Sequence, residues 1–116
     1  MNRRALGTRG EEQALSYLEA RGMTEVARNV RGAGAEIDLV MRDGRYLVFV
    51  EVKLRTGARM GLGREAVDAK KRARISRAAL SYLVSTGSVD VPVRFDVVEI
   101  QEGHVHHIPA AFDFTP

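Results

Sequence analysis

The sequence predicts an α/β fold, one sheet with a few helices, on three observations. Residues 35–54 hold two strand-like runs separated by Asp43-Gly44, two other segments repeat apolar residues at helical spacing, and 116 residues suffice for one core but not two. A hydrophobic content of 45%, a charged content of 28% and the absence of any repeat or low-complexity tract make one globular domain over residues 1–116 the expectation. No cysteine is present, which excludes disulfides and thiolate zinc sites. The basic N-terminus lacks the apolar run of a signal peptide and no stretch reaches membrane-spanning length, so a cytoplasmic protein without membrane contact is expected.

The first helix is expected to start at the capping-box spacing Thr8-Arg9-Gly10-Glu11, to repeat Ala14, Leu15 and Leu18 on one face, and to end at Arg21-Gly22. Glu11 stands at the mouth of that apolar stripe, where it can cap the helix and also reach the sheet. Thr24 to Val30 reads as a weak strand, followed by a flexible lead, Arg31-Gly32-Ala33-Gly34.

The hairpin that follows is the most informative part of the chain. With Asp43-Gly44 as a two-residue loop, Arg42 pairs with Arg45, Val40 faces Leu47, Asp38 faces Phe49 and Glu36 faces Glu51. One face then carries Glu36, Asp38, Glu51 and Lys53. The other carries Ile37, Leu39, Met41, Tyr46, Val48, Val50, Val52 and Leu54, an apolar set suited to a core. Carboxylates facing each other across a sheet repel unless something positive lies among them. A hard divalent cation such as Mg²⁺, held by carboxylate oxygens and by substrate phosphate, is the natural candidate; it can activate a water for phosphoryl transfer. Lys53 is placed to hold that water or to stabilise charge on the phosphate, and the plainer alternative is an ion pair with Glu51.

Thr56 to Arg64 is glycine-rich but has neither the spacing nor the ending of a nucleotide-binding P-loop, which favours a flap beside a polymeric substrate. A second helix is expected from about Glu65 or Asp68 to Thr86, with Val67, Ile75, Ala78, Ala79, Tyr82 and Leu83 inward and Gly87 at its exit. Arg55, Arg59, Arg64, Lys70, Lys71, Arg72, Arg74 and Arg77 put eight cations within 23 residues, next to the acidic face. Such clusters bind phosphate backbones, so nucleic acid is the expected partner, with Arg55, Arg64, Lys70, Lys71 and Arg74 as the contacts. Val91 to Ile100 reads as a strand with Pro92 near its start, and Glu102-Gly103 turns into His104–Ile108. His104 and His106 share a face without evident partner ligands, Asp96 reads as structural, and Ala111–Phe114 is expected to pack back on the body.

Taken in order, Gly10-Glu11, Glu36-Ile37-Asp38-Leu39, Phe49-Val50-Glu51-Val52-Lys53-Leu54-Arg55, Glu65-Ala66-Val67 with Lys71 and Arg74, Arg94-Phe95-Asp96-Val97-Val98 and Ile108–Phe112 resemble the small bacterial YraN family of predicted endonucleases, almost end to end. That family is similar to restriction-endonuclease-like nucleases and archaeal Holliday junction resolvases, whose PD-(D/E)xK motif matches Asp38 and Glu51-Val52-Lys53 here. Ile37 replaces the motif's proline and Ala35 stands where glycine is usual before Glu36. The resemblance implies a central mixed β-sheet flanked by helices, Mg²⁺ or Mn²⁺ on Asp38 and Glu51, Lys53 as catalytic lysine, and Glu11 as a helix acid joining the site; the acidic face adds Glu36 to the expected metal ligands. It further implies hydrolysis of DNA, with branched or junction DNA as the analogous substrate and a homodimer attractive because a junction cutter makes two symmetric incisions. The alternatives are a non-catalytic nucleic-acid-binding or DNA-processing accessory protein, and an interaction domain whose acidic face meets a basic protein.

Overall fold

The computed structural model describes residues 3–55, 67–88 and 90–115. Helix α1 (Arg3–Ala20) leads into strands β1 (Thr24–Gly32), β2 (Ala35–Asp43) and β3 (Tyr46–Arg55). Helix α2 (Ala69–Thr86), β4 (Val93–Gln101) and β5 (His104–Phe112) follow. The strands form one sheet in the order β1-β2-β3-β4-β5. All neighbours are antiparallel except β3 and β4, which are parallel and joined through α2, as a parallel pair requires. This is the mixed α/β sheet with flanking helices that the sequence predicts, and it is consistent with a restriction-endonuclease-like fold. The glycine-rich stretch, with Arg59, Arg64 and Glu65, lies outside the described residues.

Local chemistry accounts for the boundaries. α1 begins at Arg3, not at a Thr8 cap, because Arg3-Arg4-Ala5-Leu6 are good helix formers that extend it toward the N-terminus. Gly10 is therefore inside the helix, and its bare Cα lets α1 approach β3: a Cβ there would meet Leu54 Cδ2 at 2.7 Å. Asp68 caps α2, accepting from Lys71 N at 2.8 Å, and Gly87 closes it with φ 71°. The expected flexible lead is instead a tight turn, in which Gly32 pairs with Ala35 around Ala33 (φ 51°) and Gly34 (φ 78°), the type I′ pattern.

The sheet buries both faces. On one, Ala14, Leu15 and Leu18 of α1 cover Leu39, Met41, Val48, Val50, Val98 and Ile100. On the other, Ile75, Ala78 and Ala79 of α2 cover Val40, Leu47, Phe49, Phe95 and Val97. Phe49 stacks on Phe95 at 5.7 Å and Phe95 on Phe112 at 5.1 Å, so the expected C-terminal packing is the end of β5. Ile37 departs from the expected apolar set and joins the α2 side, while Tyr46 and Leu54 are exposed. Among the described residues, no helix is long and apolar enough to cross a membrane.

Candidate active site

The register of β2 on β3 differs from the expected one by two residues. Asp43 pairs with Tyr46, leaving Gly44 and Arg45 as the loop, and the ladder runs Val40↔Phe49 and Leu39↔Val50. Gly44 is left-handed (φ 59°) in the first loop position, as in a type II′ turn. A slip of two keeps the side-chain faces of the paired residues Leu39–Asp43, while Ile37 joins the α2 side, and it brings Asp38 rather than Glu36 level with Glu51. The ladder stops there, and Val52 N donates instead to Asp38 Oδ2 at 2.7 Å. Asp38 thus takes the place of a strand acceptor and is fixed by the backbone of the next strand.

Three elements contribute acids. Glu11 of α1 and Glu36 and Asp38 of β2 each offer an oxygen, all within 4.8 Å of one another. Glu51 is buried and engages cations: Lys71 Nζ donates to its Oε1 at 2.6 Å and Lys53 Nζ lies 3.5 Å away. Glu36, Asp38, Glu51 and Lys71 line a cleft of about 370 Å³ with Arg74 and Ile75. A larger groove of about 600 Å³ runs along Leu80, Leu83, Phe112 and Phe114, but it is mainly apolar and remote from the acids. Charge, rather than size, marks the smaller cleft.

Burial drives the Asp38 carboxyl up to about 7, helped by the neighbouring charges of Glu51, Glu11 and Glu36 and opposed by the Val52 N–H. Burial also pulls Lys53 below the usual lysine range, with Lys71 beside it acting in the same direction. For Lys71 burial acts downward and is the largest single influence, but its bond to Glu51, the neighbouring Lys53 and the charges of Glu51 and Asp38 together outweigh it, and the ammonium is held above its ordinary value. The result is one carboxyl poised near neutrality, one weakened ammonium and one firm ammonium around a single acid.

Hard oxygen donors in this number suit Mg²⁺ or Mn²⁺, and a carboxyl pushed toward protonation by burial and by neighbouring carboxylates is the electrostatic defect that a divalent cation relieves. Glu11, Glu36 and Asp38 are the residues that would hold it, with Glu51 bordering the same cleft.

The basic residues divide. Lys70 and Arg74 are exposed on α2, and Arg74 borders the acids. Lys71, expected among the phosphate contacts, bonds Glu51 within the site; its spacing to Ile75 and Ala78 (i, i+4, i+7) is the sequence signal for that inward face. Arg55 is fixed by Glu99, a fully buried acid on β4, at 3.0 Å. His104 and His106 are exposed on the edge strand, whereas the unremarked His107 is buried against Asp96.

One site residue escaped the sequence reading altogether. Asn29 is left-handed (φ 50°), and its Nδ2 donates to both oxygens of Glu11, at 3.2 and 3.1 Å, and to Glu36 Oε1 at 3.0 Å. An asparagine within a strand-like run is the clue, because asparagine is depleted in strands and is among the few residues that tolerate this backbone region.

The family described as "Uncharacterised protein family UPF0102" matches residues 10–100. A UPF0102 protein of Symbiobacterium thermophilum is 50% identical over 100 residues, covering 86% of this chain and 85% of the relative. One of Geobacter metallireducens is 42% identical over 119 residues, covering 99% and 98%. One of a Shewanella species is 47% identical over 107 residues, covering 92% and 98%.

Proposed function

We propose, from the premise that this chain belongs to the uncharacterised protein family UPF0102, the YraN family it resembles, that it is a metal-dependent endonuclease hydrolysing phosphodiester bonds in DNA. The observation that carries this reading is the meeting of Asp38 and Glu51 at the end of the β2–β3 ladder, with Lys53 one turn of the pleat beyond and Glu11 and Glu36 alongside.

Mg²⁺ or Mn²⁺ bound by the acids would supply charge neutralisation and an activated water. The protein's own groups do the rest. Lys53, 3.5 Å from Glu51 and with its ammonium weakened by burial, is suited to neutralise charge building on the phosphate oxygens and to exchange a proton with the water. Glu51 holds Lys53 and Lys71 in place, and Asp38 is held by Val52 N, so the reacting groups are oriented by β3 itself. Arg74 borders the cleft, where it would take a backbone phosphate, and exposed Lys70 on the same helix would extend the basic surface. An acidic cleft bordered by a cation suits a phosphate backbone, and flaps and four-way junctions are the substrates to try by analogy with the resolvases that the family resembles.

The test is cleavage of labelled duplex, flap and four-way-junction DNA with Mg²⁺ or Mn²⁺ by wild type, Asp38→Ala and Lys53→Ala. Wild type is expected to cut and both variants to lose at least about 10²-fold in rate, the scale of a lost general acid–base or electrostatic group. Binding without cutting by the wild type would replace this reading with that of a DNA-processing accessory protein; activity surviving both substitutions would trace to another nuclease in the sample.

A further inference from the structure

We propose that Asn29 is the positioning residue that assembles Glu11 and Glu36 into one cation-binding pair; the inference rests on the nuclease reading above. Glu11 comes from a helix and Glu36 from a strand, and nothing in the covalent chain holds them side by side. Two carboxylates at this distance repel unless a donor lies between them. The Asn29 amide provides that donor, its Nδ2 within 3.0–3.2 Å of three oxygens from the two acids. Facing three carboxylate oxygens, only the NH₂ end of the amide is electrostatically acceptable, which fixes its orientation on physical grounds.

The backbone supports the same role independently. Asn29 lies between the Arg28↔Leu39 and Val30↔Ile37 pairs, level with Asp38, and adopts φ 50° in a strand whose neighbours are extended. That conformation costs most residues about 1 kcal/mol or more, and asparagine is among the few that adopt it readily. The kink thus coincides with the one strand position where an amide meets both acids.

A neutral donor is the right chemistry for this task. Lysine or arginine at this place would also join the carboxylates, but with a fixed charge opposing an incoming cation. The amide preassembles the acids and leaves their charge available, as outer hydrogen-bond partners of metal ligands do. Arg31 Nε holds the other Glu36 oxygen at 3.2 Å from an exposed position at the rim, so the inner contact with both acids is left to Asn29.

Mn²⁺ binding to the full chain, followed by calorimetric titration and by the electron paramagnetic resonance of free Mn²⁺, tests this with wild type, Asn29→Gly and Asn29→Asp. Glycine accepts φ 50° without cost but has no amide, so Asn29→Gly is expected to melt near the wild type and to bind Mn²⁺ at least about tenfold more weakly. Asn29→Asp keeps the shape and replaces a donor with a third carboxylate; it is expected to melt lower without metal and to recover in excess Mn²⁺. Asn29→Gly binding Mn²⁺ as tightly as wild type, or Asn29→Asp melting with no response to Mn²⁺, overturns the proposal. A wild type that takes up no Mn²⁺ overturns the metal reading itself, and this inference with it, an outcome distinct from the variant results.

Discussion

Asp38→Asn is expected to abolish metal-dependent cleavage and, at pH 8, to make the protein more stable than the wild type. The Asp38 carboxyl is raised from an ordinary 3.8 to about 7, by burial first and by Glu51 next. Between these values the folded protein retains a proton that the unfolded chain has released, so wild-type stability falls as pH rises from about 4 to about 7. At about 1.36 kcal/mol for each pH unit, the loss reaches up to about 4 kcal/mol above pH 7. Asparagine keeps an oxygen for the Val52 N–H and removes the charge, so the variant escapes this slope. Urea unfolding at pH 5 and pH 8 measures the effect: the gap between variant and wild type should widen with pH, and a constant gap or a variant less stable at pH 8 contradicts it. Stability given up at the very group proposed to hold a cation is the pattern expected when a site is shaped for a ligand rather than for the fold.

The second large effect lies outside the cleft. Asp96 is fully buried and accepts from Arg94 Nε at 2.8 Å, Arg94 Nη2 at 2.9 Å and Ala110 N at 3.0 Å, with His107 Nε2 also at 2.8 Å. Asp96→Ala is expected to cost about 3–5 kcal/mol, because it strips a largely buried guanidinium of its main partner and leaves His107 and Ala110 N–H without an acceptor. Arg94 retains Asp43 at 2.9 Å, which limits the loss but does not replace a bidentate pair. Burial pushes the Asp96 carboxyl up, yet the bonds from His107 and Arg94 prevail and hold it below the usual range. Its contribution is therefore present above pH 4 and lost only as pH falls through that depressed value, so wild type and Asp96→Ala should converge in acid. Denaturant unfolding at pH 7 and pH 3 tests this, and a cost below about 1 kcal/mol at pH 7 would reduce the network to an incidental contact.

Much of the fold was legible because the signals were periodic. Alternation in residues 36–53 separated the acidic face from Leu39, Met41, Val48 and Val50, and that division survived a two-residue error in register because the side-chain period is two. The error came from Asp43-Gly44: the pair favours a loop with both residues in it, whereas Gly44-Arg45 forms the loop and Asp43 instead pairs with Tyr46 and bonds Arg94, a partner 51 residues away. The second helix was readable to within a few residues through Asp68, Ile75, Ala78, Ala79 and Gly87. The start of the first was not, since Thr8-Arg9-Gly10-Glu11 imitates a cap that the preceding helix formers override. Within the site, Asp38, Glu51 and Lys53 stood out because charges in apolar strands require an explanation. Asn29 carries no charge and betrays itself only through a backbone angle, and Lys71 was submerged in a run of similar cations of which, among the described residues, it alone is bonded to Glu51.

The order of the strands gives the cleft two mechanical temperaments. Glu51 and Lys53 belong to β3 and stay paired with β4, at Val97 and Glu99, beyond the point where the β2 ladder ends at Val50, so this stretch should open less readily than the outer hairpin. Asn29 and Glu36 belong to the β1–β2 hairpin, whose outer strand has no strand beyond it among the described residues and is largely exposed, so this hairpin should open locally and often. On the proposed reading, a bulky polyanion would meet a jaw with one firmer and one yielding side, and could be admitted by fraying a single hairpin while the lysine and its acid stay where they are.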